Sequence, residues 1–385
     1  ENTGADVDFL TNGFQIKSAS NEVNDGSTTY IYWAIAADPS TASTPVVTNA
    51  FDVVSYTGTG AEQDILTDCN ADFVWIKSNT EGTSNYTGNH FLYDTIRGPL
   101  KRIKSNSTDA ESTFSNSLTA FNDNGFTVGS AIHVNRSNDQ YTAFLWSAGS
   151  HEGLLPTANT QGDINSTVSV NDAAGFSIVK YRGNEQASQN VGHGLSSSPE
   201  LAFIKQLDGG RDWVVPLFTQ SSGDYMHLNK TDDEDTDTNK WSAVSSTTFT
   251  IGADPYTNGA GSPYIAYMFK SVSGYSKIGT YSGNATARTV YTTDNGLVGG
   301  SNGFKPRWVM MKRMTAAGNW IIWDSLSNPS ADNSNNDVIY ANKPDQRSDA
   351  GSGRYISFNS NGFTISGDSG DSNANSATYL YFAIK

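Results

Sequence analysis

Tyr141-Thr-Ala-Phe-Leu-Trp146 is a short apolar stretch rich in aromatic residues, the composition of a buried β-strand. The chain repeats it as Tyr264-Ile-Ala-Tyr-Met-Phe269 and Tyr379-Leu-Tyr-Phe-Ala-Ile384, and an earlier copy reads Tyr30-Ile-Tyr-Trp-Ala-Ile35. Recurrence of one strand at a wide spacing indicates tandem copies of one structural unit. We therefore interpret the chain as three complete repeats preceded by a partial one.

Two further blocks come before each closing strand, always in the same order. The first is a Tyr-x-Gly step, at Tyr56/Gly58, Tyr181/Gly183 and Tyr281/Gly283. The second is an apolar block that ends in lysine: Asp72-Phe-Val-Trp-Ile-Lys77, Glu200-Leu-Ala-Phe-Ile-Lys205 and Arg307-Trp-Val-Met-Met-Lys312. These blocks place the partial repeat at residues 1–45, repeat 1 at 46–150, repeat 2 at 151–272 and repeat 3 at 273–385. Residues 149–172 lack the pattern and are interpreted as a linker or an inserted hairpin.

The apolar runs are short and are separated by turn dipeptides such as Asn124-Gly125 and Asn361-Gly362, which predicts β-strands. Charged residues make up only 16% of the chain, against about 25% in an average protein. A repeat of roughly 100 to 120 residues suits two packed antiparallel sheets, whereas a propeller blade is smaller. We predict an all-β protein of tandem sandwiches, jelly-roll or concanavalin A-like, with one short helix within Thr108–Leu118.

Charge and composition disfavour several classes of protein. The net charge of −15 argues against nucleic-acid binding, which needs clustered Lys and Arg. No apolar run reaches the length of about 18 residues that a membrane helix requires, which predicts no membrane insertion. Cys69 is the only cysteine, so an internal disulfide framework is excluded. The chain starts at Glu1, without Met or a signal-like segment, and we expect a processed or partial product.

Each repeat carries an Asn-x-x-Asp element, at Asn106/Asp109, Asn229/Asp232 and Asn342/Asp345. Asparagine at such a position often bonds its own backbone, which predicts an Asx-type turn. A cation or sugar site is the alternative. The acidic run Asp232–Asp237 has carboxylates at alternate positions but lacks the glycine and glutamate of an EF-hand loop, so we predict weak or no binding of Ca²⁺.

Other motifs do not identify an enzyme. Gly367-Asp-Ser-Gly370 matches a protease nucleophile segment by chance composition, and His151-Glu152 lacks the second histidine of a zinc site. Paired carboxylates of a glycosidase stay open, because such pairs converge only in the fold. We expect no catalytic, cofactor-binding or metal-binding residues.

The tryptophans of the repeated blocks are expected in the core: Trp75, Trp213, Trp308, Trp320 and Trp323. A sugar site would more naturally use the loop aromatics Tyr86, Tyr225 and Tyr256, where Asn, Asp and Gly also gather.

Five blocks of repeat 1 follow one another in a specific order: Phe51-Asp-Val-Val-Ser-Tyr-Thr-Gly58, Asp72-Phe-Val-Trp-Ile-Lys77, Phe91-Leu-Tyr-Asp-Thr-Ile-Arg-Gly98, Ser105-Asn-Ser-Thr-Asp-Ala-Glu111 and Phe121-Asn-Asp-Asn-Gly-Phe-Thr-Val-Gly129. In this order they resemble a repeated β-sandwich domain of unknown function in tail-fibre-like virion proteins of tailed phages of marine bacteria and cyanobacteria. The resemblance implies a concanavalin-like sandwich and a structural or adhesive role on a particle surface, and it supplies no catalytic residues. Repeat 3 keeps only Trp323-Asp-Ser-Leu326 of the Asp-x-x-Arg-Gly element, and Val215-Pro-Leu-Phe218 of repeat 2 loses it. These departures argue against a binding role for Arg97-Gly98.

The leading hypothesis is a non-enzymatic fibre or appendage protein, extracellular and part of a virion or cell-surface structure, whose loops contact a host surface glycan. The alternative is a subunit of a microbial extracellular filament that associates with itself by strand pairing between protomers. A polysaccharide-degrading enzyme is the third hypothesis.

Overall fold

The structure is a computed structural model that describes residues 7–10, 13–17, 26, 29, 49–79, 88–149, 156–328, 337–349, 354–367 and 369–385. The chain divides into two compact units, Glu1–Val46 and Val47–Lys385. In the first unit, β1 (Val7–Leu10) and β2 (Gly13–Ile16) pair as an antiparallel hairpin. The predicted strand Tyr30–Ile35 lies outside the described residues.

The second unit is nearly all β-structure. Repeat 1 contains β3 (Phe51–Thr57), β4 (Gln63–Leu66), β5 (Phe73–Ser78), β6 (His90–Asp94), β7 (Lys101–Lys104), β8 (Ser112–Thr113), β9 (Leu118–Asn122), β10 (Gly125–Val128), α1 (Ile132–Asn135) and β11 (Gln140–Trp146). Repeat 2 contains β12 (Thr157–Asn159), β13 (Ser166–Asn171), β14 (Phe176–Arg182), β15 (Gln189–Gly192), β16 (Leu201–Gln206), β17 (Val214–Pro216), β18 (Asp224–His227), β19 (Asp235–Thr236), β20 (Ala243–Val244), β21 (Thr248–Ile251), α2 (Pro255–Asn258) and β22 (Pro263–Phe269). Repeat 3 contains β23 (Ser276–Ser282), β24 (Arg288–Tyr291), β25 (Trp308–Arg313), β26 (Trp320–Asp324), β27 (Asp337–Tyr340), β28 (Ser348–Asp349), β29 (Tyr355–Asn359), β30 (Gly362–Ser366) and β31 (Thr378–Ile384).

Every repeat forms one large and one small antiparallel sheet. Repeat 1 has the orders β3-β11-β5-β6-β7-β8 and β4-β10-β9, and repeat 3 has the equivalent orders β23-β31-β25-β26-β27-β28 and β24-β30-β29. Repeat 2 adds the hairpin β12-β13 to its large sheet, which continues β14-β22-β16-β17-β18-β19 and faces β15-β21-β20. This confirms the prediction of antiparallel β-sandwich repeats. The segment 149–172, which lacks the repeat pattern, contains the added hairpin.

The closing strands are apolar throughout because both of their faces are buried. In β22, Tyr264, Ala266 and Met268 belong to the core inside the sandwich of repeat 2. The alternate residues, such as Tyr267 and Phe269, belong to a second core that contains residues of all three repeats. Side chains alternate between the two faces of a strand, so one strand serves both cores.

The second core joins the repeats to one another. Aromatic pairs connect each repeat with the other two: Phe73 with Tyr267 at 4.1 Å between ring centroids, Trp146 with Trp308 at 5.7 Å, and Phe269 with Phe382 at 4.9 Å. Full burial of one such side chain contributes about 1.5 to 3 kcal/mol. Each sandwich therefore has a core of its own, and a further core shared by the three repeats lies between their large sheets.

In each repeat the Tyr-x-Gly step anchors a strand that pairs with the closing strand, namely β3, β14 or β23. Tyr181 stacks on Tyr264 with ring centroids 5.1 Å apart and donates its hydroxyl to the carbonyl oxygen of Thr257 at 2.7 Å. The pairs Tyr56/Tyr141 and Tyr281/Tyr379 stack in the same way. Gly183 passes so close to the next segment that a Cβ atom would lie 2.5 Å from the carbonyl oxygen of Gly259, which explains the invariant glycine of the step.

The predicted helix within Thr108–Leu118 is wrong. This segment is extended and contains β8, and the N–H of Glu111 donates to Leu207 of repeat 2 at 2.7 Å. Contacts with the neighbouring repeat replace the internal hydrogen bonds of a helix. No helix in the described part of the chain has the length and apolar character needed to span a membrane.

Candidate functional site

The Asn-x-x-Asp elements lie where neighbouring repeats meet. The Oδ1 of Asn229 accepts from the N–H of Trp213 at 2.9 Å, and its Nδ2 donates to Asp212 at 2.7 Å. Asn106 and Asn342 accept in the same way from the first N–H groups of β6 and β26. The predicted Asx-type turn is therefore wrong, because these side chains bond to a neighbouring strand instead of their own turn.

The carbonyl group two residues after each asparagine accepts a hydrogen bond from a buried lysine of another repeat. The three bonds are Lys205 Nζ to Thr108 at 3.0 Å, Lys312 Nζ to Thr231 at 3.1 Å and Lys77 Nζ to Pro344 at 3.4 Å. They connect repeat 2 with repeat 1, repeat 3 with repeat 2, and repeat 1 with repeat 3. The repeats thus close into a ring, and we call the three contacts the seams.

A ring nitrogen reinforces every seam. The indole Nε1 of Trp213 donates to the backbone carbonyl oxygen of Lys104 at 2.8 Å. The indole Nε1 of Trp320 donates to the backbone carbonyl oxygen of His227 at 2.9 Å. At the third seam, His90 Nε2 lies 2.9 Å from the carbonyl oxygen of Tyr340, while Trp75 donates to its Nδ1 at 2.8 Å. His90 consequently carries its proton on Nε2, and burial lowers its pKa, which keeps the ring neutral.

The seam lysines are fully buried. Burial lowers the pKa of Lys77 to about 7 and the pKa values of Lys205 and Lys312 to about 8. A lowered pKa increases the uncharged fraction of a lysine at neutral pH, and an uncharged amine is a nucleophile when substrate can reach it. Here the amines are enclosed and donate to carbonyl groups, so they hold the repeats together.

The Arg97-Gly98 element is structural. The side chains of Arg97 and Asp94 are both 0% exposed and form an ion pair at 2.5 Å, and Tyr267 of repeat 2 donates to the same carboxylate at 2.7 Å. Repeat 3 contains a comparable pair, Arg347 with Asp324 at 2.8 Å. The sequence departures that argued against a binding role for Arg97 thus agree with its burial.

The acidic run Asp232–Asp237 does not gather its carboxylates around one point. Asp237 pairs with Lys240 at 2.9 Å, Asp232 lies 3.5 Å from His227, and Asp235 accepts from Tyr225 at 3.0 Å. Weak or absent binding of Ca²⁺ stays a prediction.

The carboxyl group of Glu234 interacts with that of Asp224 and has a raised pKa. Burial, together with a hydrogen bond and repulsion from Asp224, raises the pKa of Glu234 to about 7. A raised pKa suits a general acid, but glycosidase carboxyls stand at least about 5 Å apart to flank a sugar linkage. Glu234 and Asp224 interact by a hydrogen bond and by charge repulsion, which places them closer together than that spacing.

The predicted aromatic residues fall into two groups. The five tryptophans are at most 1% exposed, which confirms their assignment to the core: Trp75, Trp213, Trp308, Trp320 and Trp323. Among the predicted loop aromatics, Tyr86 lies outside the described residues, and Tyr225 is wrong as a sugar contact because it lies in β18 at 4% exposure. Tyr256 is half-buried in α2, with Lys240 at 5.1 Å and Arg211 at 5.2 Å from its ring.

The structure describes only some residues of the protease-like and zinc-like motifs. Ser369 is buried and accepts from the N–H of Asp371, and Asp368, His151 and Glu152 lie outside the described residues.

A polar cleft of about 550 Å³ presents Asp68 and Asp123 among asparagine side chains. In the described part of the chain, no three His, Cys, Asp or Glu side chains gather as a metal would require.

A larger cleft, of about 580 Å³, lies at the free edge of β23 in repeat 3. Its walls are β23, β24 and the loop at Asp294–Val298, with Lys277 and Arg288 among the lining residues. Leu297 and Val298 are 62% and 75% exposed. The sequence interpretation missed this cleft, although residues 292–307 form a visibly longer connection than residues 67–72 of repeat 1.

Comparison with known proteins identifies the family. Among solved structures, a protein described with the triple jelly-roll fold and turret assembly of an archaeal virus aligns at 10% identity over 88% of this chain and 89% of its own, with a TM-score of 0.12. That score is too low to indicate a shared fold. No curated protein matches the sequence. Residues 47–385 match the model of a domain of unknown function, DUF7483, and the chain belongs to this family.

Proposed function

We propose that this protein is a non-enzymatic structural and adhesive component of an extracellular appendage or a phage-like particle. The ring of seams carries this proposal. Its buried lysines and ring nitrogens bond to backbone carbonyls of neighbouring repeats, and an aromatic core fills the centre. Such a construction makes a stiff block that holds surface loops in fixed positions.

The adhesive part of the proposal concerns Tyr256. Its half-buried ring lies between two cations, Arg211 and Lys240, on the surface of repeat 2. Because both cations lie over the ring, the partly exposed ring presents an apolar edge next to cationic hydrogen-bond donors, a combination that suits contact with a sugar. We infer that a host surface glycan contacts this place.

A glycan array with the purified full chain tests the adhesive role. We expect binding to one class of surface polysaccharide, loss of binding in Tyr256→Ala, and retention in Tyr256→Phe, which keeps the ring. Deletion of the gene should reduce adsorption or particle stability. An array without any bound glycan together with unchanged adsorption and stability would contradict the proposal, as would release of reducing sugar from the polysaccharide.

A filament subunit is the second candidate, and the free edge of β23 favours it. An unpaired strand edge is a template for pairing with another chain. Electron micrographs of the native assembly separate the two candidates: uniform fibres without capsids support the filament, and particles with short spikes support the appendage.

A further inference from the structure

Repeat 2 shows what belongs in the cleft of repeat 3. Its strand β14 is the equivalent of β23, and β13 covers its edge with Val168 opposite Val179. Val168, Val179 and Val191 are buried in the same core, and Ile164 bridges to Val191 of β15. In repeat 2 the groove between β14 and the small sheet is therefore filled by an extended segment of the chain itself.

Repeat 3 cannot fill its own groove in this way. In repeat 2 the hairpin comes from residues 147–175, the connection between β11 and β14. Only residues 270–275 connect β22 to β23. Val272 bridges to Ser276 and the Oγ of Ser271 accepts from the N–H of Ile278, and the segment is too short to form a strand along the rest of β23. Gly279 replaces Val179, and the ring of Tyr381 lies against it without filling the cleft. The groove keeps the geometry of a strand acceptor without a strand.

Charge indicates which kind of strand the groove accepts. Among the described residues, the buried Nε of Arg288 has no hydrogen-bond partner, whereas Lys277 donates to the backbone carbonyl of Asp294 and attracts its carboxylate. The carboxylate of Asp294 accepts from Ser301 and Asn302 within its own loop. The cleft thus presents cations in a chain whose net charge is −15, so an acidic segment of another copy complements it.

We propose that the groove beside β23 binds an extended acidic segment of a second copy of this chain by β-strand addition. Backbone hydrogen bonds to β23 give affinity, a carboxylate on the incoming strand pairs with Arg288, and the exposed Leu297 and Val298 cover the strand. A heterologous contact of this kind extends head to tail when it does not close. The inference rests on the proposed assembly role and names its acceptor site.

Sedimentation velocity of the full chain over a range of concentrations tests the site. Wild type should associate, and Arg288→Glu should weaken association at least tenfold. Gln189→Glu is the matched control, because Gln189 holds the equivalent position in the filled groove of repeat 2 and its variant should associate like wild type. The double variant Leu297→Ser/Val298→Ser changes only exposed side chains and should also weaken association.

The outcomes separate this inference from the proposed function. Association that survives both groove variants overturns the groove and leaves the assembly role intact. A wild-type chain that stays monomeric at all concentrations overturns the groove together with the filament candidate, while the Tyr256 glycan test still decides adhesion. Binding of oligoglucuronate that depends on Arg288, with association unaffected by Arg288→Glu, identifies the cleft as an anionic sugar site and overturns strand addition.

Discussion

At the scale of single residues, the repeat motifs are explained by close contacts that other side chains cannot make. Gly183 lies under the carbonyl of Gly259, and Gly58 and Gly283 meet equivalent carbonyls. The same step brings a stacked tyrosine pair into every repeat. The Tyr-x-Gly step is recognisable in the sequence because no other residue can replace glycine where two backbones approach this closely.

Gly183→Ala tests this explanation. The added methyl group would have to displace a backbone carbonyl, so the free energy of unfolding should fall by about 1 to 3 kcal/mol in urea denaturation. Gly210→Ala is the control: its Cβ would meet no atom closer than 3.9 Å, and stability should change by less than about 0.5 kcal/mol. Equal effects of the two substitutions would contradict the close-approach argument.

The seam lysines make stability depend on pH in an unusual direction. Burial lowers the pKa of Lys205 to about 8, whereas a lysine of the unfolded chain titrates near about 10.4. Between about pH 8 and 10 the unfolded chain therefore binds more protons, and the free energy of unfolding rises with pH by up to about 1.4 kcal/mol per unit for this lysine. Below about pH 8 both states are protonated and the lysine adds no slope.

Lys205→Met should remove this share of the slope. Urea denaturation of both proteins across the alkaline range measures their free energies of unfolding. The wild-type value minus the variant value should increase as pH rises. Burial raises the pKa of the Cys69 thiol and produces the opposite trend, but that contribution cancels in the difference. Parallel pH profiles would show that Lys205 keeps its ordinary pKa in the folded protein.

At the scale of elements, the covered edge of β14 and the open edge of β23 should differ in dynamics. We expect slower hydrogen exchange in residues 176–182 than in residues 279–282 at low protein concentration. In the described part of the chain β14 has neighbouring strands on both sides, whereas β23 has the strand β31 on one side and only a bridge from Val272 to Ser276 on the other. Val168→Lys places a charge in the core beneath the covering hairpin and should speed exchange in β14 alone. Faster exchange in both strands would indicate general destabilisation instead of local uncovering.

The elements themselves were largely predictable. Tyr141–Trp146 and its copies are strands because their composition, spacing and flanking turns agree, and Asn124-Gly125 and Asn361-Gly362 each lead into a strand of a hairpin. The segment after Thr108 failed because its cap-like residues form an extended contact with repeat 2, which no local pattern reports. The cleft was missed for a similar reason: it depends on which edge a distant hairpin covers.

At the scale of the whole molecule, the sequence indicates three sandwiches but not their mutual contact. Lys77, Lys205 and Lys312 recur at matched positions, yet the carbonyls they bind lie in other repeats, far away along the chain. The apolar character of both faces of the closing strands was the available clue. A sheet with one solvated face alternates polar and apolar residues, whereas these strands do not.

The shared core predicts that residues 47–385 unfold together. Phe269 contacts Phe176 and Phe203 of its own repeat and Phe382 of repeat 3, so Phe269→Ala should cost about 3 to 5 kcal/mol. Calorimetry should show one transition at a lower temperature, and hydrogen exchange should lose protection in all three repeats together. Phe126→Ala, inside the sandwich of repeat 1, should shift the same single transition because that sandwich shares strands with the central core. Separate transitions, with Phe126→Ala lowering only one of them, would mean that the repeats fold independently and that the seams contribute little to stability.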